Sequence, residues 1–162
     1  MSRRHKDTII SEQMKEIETL KEENFKLQSK IWQMSVYPFG EEPTHYITED
    51  MFDTILETPE TSLTEYIQAK HLTYNETFNV CLLNKEDSNI VLIVNENNMS
   101  CCRHVNRNEF VAMWTEQLRN ELKDIAQQKN ATSWLSWNES TDIHTLINVV
   151  DSFLVSECGP VT

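Results

Sequence analysis

Apolar residues recur every seven positions near the start of the chain. Ile10, Ile17, Asn24 and Ile31 form one series, and Gln13, Leu20, Leu27 and Met34 follow three residues behind each. In heptad letters these are the a and d positions. Isoleucine at a with leucine at d favours two parallel strands, and a lone Asn at a sets register and partner number at some cost in stability. The stripe is narrow, because the flanking e and g positions carry Glu16, Lys21, Glu23, Gln28 and Lys30. A helix lying on its own domain would need a wider apolar face. Across a parallel pair, Glu16 of one helix meets Lys21 of the other. Such an exposed pair contributes only about 0.2–1 kcal/mol, so it selects orientation more than it holds the dimer. The pattern therefore predicts a parallel coiled coil over residues 8–35. Its interface comprises Ile10, Ile17, Leu20, Asn24, Leu27, Ile31 and Met34, and its partner is a second copy or another coiled-coil chain. Phe25 and Trp32 fall at b positions, outside the seam.

After Met34 the heptads stop. Pro38, Gly40 and Pro43 cannot continue a helix, which predicts a linker over 36–47. Thr48 then reads as an N-cap, with Glu49 and Asp50 in the first turn, where the helix dipole favours them. Met51, Phe52, Ile55 and Leu56 make an apolar face, and Pro59 ends this helix. Ser62 and Glu65 form a capping box for a second short helix carrying Leu63, Ile67 and Leu72. The period then falls to two. Phe78, Val80 and Leu82 alternate with Thr77, Asn79 and Cys81, as in a strand. Residues 90–94 are continuously apolar, which predicts a strand buried on both faces. A third strand follows over 99–105, with polar turns at 84–89 and 96–98, giving an antiparallel meander. Asn106 and Glu109 open another helix, along which Phe110, Trp114, Leu118, Leu122 and Ile125 recur. Residues 130–138 read as a polar loop holding Trp134 and Trp137. Ser140 or Thr141 caps a last helix, apolar over most of its circumference and so expected to be buried, and Gly159 and Pro160 end it. The fold class is α+β: a dimeric coiled coil, then over 48–158 a small antiparallel sheet with helices packed on it.

Charge sharpens the division. The net charge is −12 over 162 residues. Residues 1–35 hold seven Lys or Arg against six Asp or Glu, so the remainder carries seven basic and twenty acidic residues, a balance of −13. Such a body repels phosphate backbones, whose neutralisation supplies most nucleic-acid affinity. A basic protein partner suits it. Nucleic-acid contact is left only to the tip Arg3, Arg4 and Lys6. That tip is far shorter than the continuous basic helix of a zipper that reads DNA, because Asp7 to Ser11 interrupts it. No window is apolar enough to span a membrane. Without an apolar leader, the chain is expected in the cytoplasm or nucleus and not secreted, with reduced thiols at Cys81, Cys101, Cys102 and Cys158 and unmodified sequons at Asn75, Asn98, Asn130 and Asn138.

The chemistry-bearing residues form no known motif. Two glycines exclude glycine-rich phosphate loops. Cys101 and Cys102 are adjacent, so a regular strand points them to opposite faces, away from a shared metal, and His104 and Cys81 do not complete a set. His71, near a helix end, reads as a dipole partner, and His144 as a boundary residue on the last helix. Paired acids such as Glu41-Glu42 fall in loops. No cofactor, metal or catalytic residue is expected. The partner-binding candidates are Trp134 and Trp137, since tryptophan is enriched at hot spots, and Tyr37 and Phe39 of the linker.

The short zipper over 10–34 and the α-β-β-β-α-α order over 48–156 resemble the coiled-coil subunits of kinetochore and monopolin complexes with RWD-type domains. The resemblance is one of architecture, with no sequence motif behind it. The only Tyr-Pro pair, Tyr37-Pro38, precedes the domain instead of following the strands. The resemblance implies a non-enzymatic dimeric adaptor or scaffold in a chromosome-segregation setting. A viral regulator has the same outline. The alternative is a small ligand-binding or catalytic α+β domain for which the coil is only an oligomerisation handle.

Overall fold

The computed structural model describes residues 2–158, the side chains of Ser29, Gln33 and Met34 excepted. It mixes helix and sheet: about 66% of the described residues are helical, and the described strands form one three-stranded antiparallel sheet. It divides into two compact units, Met1–Ser35 and Val36–Thr162.

The first unit is a single helix, α1 (Arg3–Ser35). Its 33 residues give a rod of about 50 Å at 1.5 Å per residue. The Thr8 and Thr19 hydroxyls donate hydrogen bonds to the carbonyls of Arg4 and Lys15 one turn back (2.9 and 3.0 Å). Their side chains thus satisfy themselves within the helix instead of breaking it.

The second unit runs α2 (Glu49–Glu57), α3 (Pro59–Ile67), a π-helical turn (Gln68–Leu72), β1 (Val80–Cys81), β2 (Asn89–Glu96), β3 (Met99–Asn106), α4 (Arg107–Gln128), α5 (Thr132–Ser140) and α6 (Ile143–Glu157). Two caps fall where the sequence puts them. Met51 N–H donates to Thr48 Oγ1 (3.2 Å), and Glu109 N–H donates to Asn106 Oδ1 (3.0 Å). The strand order is β1-β2-β3, with Val80 opposite Leu92 and Leu92 opposite Arg103. Asn97 and Asn98, both at positive φ (52° and 63°), make the tight β2–β3 turn that suits the sheet's twist. Ile90, Val91, Leu92 and Ile93 are buried, as a continuous apolar run requires. The core joins Val80, Ile90 and Leu92 of the sheet, and Leu82 just after β1, to Leu63 and Ile67 of α3, Trp114, Leu118 and Leu122 of α4, and Val150 and Leu154 of α6.

The structure corrects several expectations. Residues 36–47 are no free linker. Phe39 N–H donates to Ile93 O (2.6 Å), Tyr37 N–H donates to Glu76 O (2.7 Å), and Ile47 is buried. Polar punctuation hid the apolar anchors Phe39 and Ile47. Helix α3 starts at Pro59, whose ring suits the first helical position, so Ser62 is not a cap. It lies buried inside the helix and donates to Pro59 O (2.7 Å). The loop expected over 130–138 is helix α5, and α6 begins after Asp142, not Ser140 or Thr141. Helix α6 buries one face only: Leu146, Val150 and Leu154 are buried while Val149 is exposed. The first strand shrinks to two residues. Gly159 and Pro160, expected to stop α6, lie outside the described residues.

Candidate interaction site

Residues of the a and d series lie on one side of α1 because 3.5 and 3.6 residues per turn nearly coincide over four heptads. Ile10, Ile17, Leu20, Leu27 and Ile31 are between 52% and 66% exposed. Asn24, Glu16 and Lys21 are also exposed. The Met34 side chain, expected in the same seam, lies outside the described residues. Burying a leucine or isoleucine side chain is worth about 1.5–3 kcal/mol, so a row of five carries a large unused driving force for association. The b-position Phe25 is exposed too, outside the row.

In the body, the aromatic candidates separate. Trp134 has no exposed surface. Its Nε1–H donates to Ser62 Oγ (2.9 Å), and its ring packs 5.8 Å from that of Trp137. Trp134 is therefore a core residue and presents nothing to a partner. Trp137 is half-buried against the same core. Phe39 is half-buried too, stacked on His71 at 5.8 Å and edge-on to Phe110 and Trp114. Tyr37 alone of the four is exposed.

Sequence reasoning missed a buried polar cluster built from residues far apart in the chain. The Glu42 carboxylate, itself buried, accepts Gly40 N–H on both oxygens (3.0 Å each) and Asn79 Nδ2–H on Oε1 (2.6 Å). Asn79 Nδ2–H also donates to Tyr37 O (3.0 Å). Asn79 Oδ1 therefore faces His71 Nδ1 at 3.0 Å. A carbonyl oxygen only accepts, so Nδ1 carries the ring proton. Nε2 is then a lone pair with no hydrogen-bond partner among the described residues. His71 is thus no dipole partner: its ring is 1% exposed and held edge-on to Trp114 at 5.4 Å. Burial holds its pKa below the ordinary value. Glu42 opposes that shift, Lys70 adds to it, and Asn79 and the Thr77 backbone oppose it. The 3.6 Å approach of Nδ1 to Glu42 Oε1 is accordingly a contact of a neutral ring with a carboxylate, not an ion pair. The cluster ties residues 37–42 to Asn79, just before β1, and to the π-helical turn.

That cluster makes stability depend on pH in a stated direction. The unfolded chain binds a proton at His71 as pH falls below about 6.5, whereas the folded chain does not until its lower pKa is reached. Stability is full above about pH 6.5, falls as pH drops from there toward the folded-state value, by at most about 1.4 kcal/mol per pH unit, and levels off below it. The other four histidines, His5, His45, His104 and His144, are exposed. Urea titrations between about pH 7.5 and 5 should show the fall in the native chain and a flatter profile in His71→Gln. Equal slopes in both would remove His71 as its source.

A second missed group lies beside it. Lys70, also buried, donates to both Glu121 oxygens (3.1 Å each), and Tyr66 Oη–H donates to Glu121 Oε2 (2.9 Å). The π-helical turn swings Lys70 and His71 inward. Burial, then Glu121, drives the Tyr66 phenol far above its usual range, so it stays a donor. Cys81 and Cys158 are also buried, which pushes their thiols up to about 11 and about 12 and leaves them protonated and unreactive at neutral pH. Cys101 and Cys102 sit on opposite faces of β3. No group of three or more potential ligands converges among the described residues.

Compared with protein-family models, curated proteins and solved structures, the chain matches none.

Proposed function

We propose that two copies of this chain pair in parallel through α1 and carry two acidic bodies that hold protein partners. The chain is then an adaptor or scaffold whose output is recognition. The observation that carries this reading is the row Ile10, Ile17, Leu20, Leu27 and Ile31, exposed at heptad spacing with Asn24 at one a position. Exposed apolar side chains in such a row have little reason to persist unless another helix covers them. Pairing two bodies raises the effective concentration of the second once the first has bound, which is how weak sites become useful. A kinetochore-like setting for such a subunit belongs to the same proposal and rests on the architectural resemblance alone, since the body has one more helix after the sheet than that resemblance assumed.

Orientation is tested by energy transfer between chains labelled at the N-terminal amine with donor or acceptor and then mixed. Parallel pairing puts the labels side by side, with efficient transfer. Antiparallel pairing separates them by about 50 Å, the length of α1, and gives weak transfer. The absence of transfer above the dilute-dye background contradicts the homodimer.

Asn24 makes a further expectation. Its amide is costly in an apolar seam and excludes other registers. Asn24→Ile should raise the thermal midpoint and admit trimers or tetramers in sedimentation velocity. A strict dimer of unchanged midpoint would show that Asn24 does not set the register.

A further inference from the structure

We infer that the groove between α2 and α3 docks a short amphipathic helix of a protein partner, its apolar side chains inward and its lysines or arginines against Asp50 and Glu65. This names the partner class of the adaptor reading and rests on that reading for its biological sense. The groove has a volume of about 440 Å³. Met51 and Ile55 of α2 and Ala69 of the π-helical turn form an apolar floor, and Asp50 and Glu65 stand on the rim. Ala69 keeps the floor low because the turn sends its larger neighbours Lys70 and His71 inward, to Glu121 and Asn79.

Charge selects the occupant. Between Lys30 and Lys70 the chain has no Lys or Arg and eight carboxylates, so the groove lies in its most one-sided stretch. Lys129 reaches across to Glu49 and Asp53 (2.6 and 2.8 Å) and neutralises part of it. Among the described residues, neither Asp50 nor Glu65 forms an ion pair. Glu65 Oε1 accepts the Thr61 hydroxyl (3.2 Å). An anionic ligand is repelled here. A strand is disfavoured, because both walls are helices whose backbone groups are already paired. A helix needs only apolar anchors and flanking cations, and the groove has the matching parts.

The test is fluorescence anisotropy of a labelled amphipathic leucine–lysine peptide of about 15 residues, long enough to fold on contact. It is titrated with the full chain at about 0.15 M salt, where long-range attraction is screened. Saturable binding is expected, weakened about tenfold or more by Asp50→Lys with Glu65→Lys. The milder pair Asp50→Asn with Glu65→Gln should weaken it in the same direction. Glu116→Lys with Asp124→Lys, an equal charge change at exposed positions of α4, should leave binding intact. A peptide with serine for each leucine should not bind. No binding, equal weakening by both lysine pairs, or equal affinity for the serine peptide would each overturn the groove. Light scattering on the same samples separates the two readings. A dimer that ignores the peptide loses the groove and keeps the paired chains; a monomer that binds it does the reverse.

Discussion

Trp134→Ala should cost about 3–5 kcal/mol of the body's stability, the range for removing a buried aromatic ring. The side chain has no exposed surface and belongs to the core shared by α3, α4 and α6. Its loss opens a cavity and strips the Ser62 hydroxyl of the indole donor. A domain of this size is stable by only about 5–15 kcal/mol, so the variant retains a fraction of that margin. Trp134→Phe keeps most of the ring and loses the N–H, which should cost far less. Urea midpoints of the three proteins, read by circular dichroism with the denaturant slope held in view, measure the difference. A cost below about 1 kcal/mol for the alanine variant would contradict the packing, because surface substitutions lie in that range.

Trp134 also shows where sequence reading reaches its limit. Helix α5 has only Trp134, Leu135 and Trp137 among polar residues, too few to display a 3.6-residue period, so it reads as a loop. Ser62 looks like a cap because its real partners, Trp134 and the Pro59 carbonyl, are set by tertiary packing and by the proline start of α3. Asn79 sits in a stretch whose alternation assigns it to a polar face. It is buried because Glu42 and His71, 37 and 8 residues away, satisfy it. No local pattern reports such a triad. What local patterns do report came through: the α1 heptads as one continuous helix, the Thr48 and Asn106 caps, and the buried run of β2. These depend on residues within a turn or a pleat of one another. The groove between α2 and α3 needed coordinates as well, although the charge gap around it is plain in the sequence.

Leu20→Asp with Leu27→Asp should abolish pairing. In a parallel dimer both positions face their own copies, so the variant removes four leucines and sets four carboxylates against each other. The lost burial alone amounts to about 6–12 kcal/mol per dimer, against about 12 kcal/mol for a nanomolar complex. The variant should sediment as a single chain at micromolar concentration. Its 33-residue α1 should also lose much of its helical signal, since an unpaired helix with charges in its stripe is marginal. The body should melt as before, with its own core unchanged. Glu18→Lys at an exposed b position is the control and should leave pairing intact. Native mass in the double variant would show that the a and d row is not the interface.

The most direct test of the paired-chain reading is the solution mass of the unmodified full chain, by light scattering across a hundredfold range of concentration, about 1 to 100 μM. The expected result is twice the 19.0 kDa of one chain, falling toward one chain only at the dilute end. A mass of one chain throughout would contradict it. The exposed row on α1 would then belong to a helix of another protein.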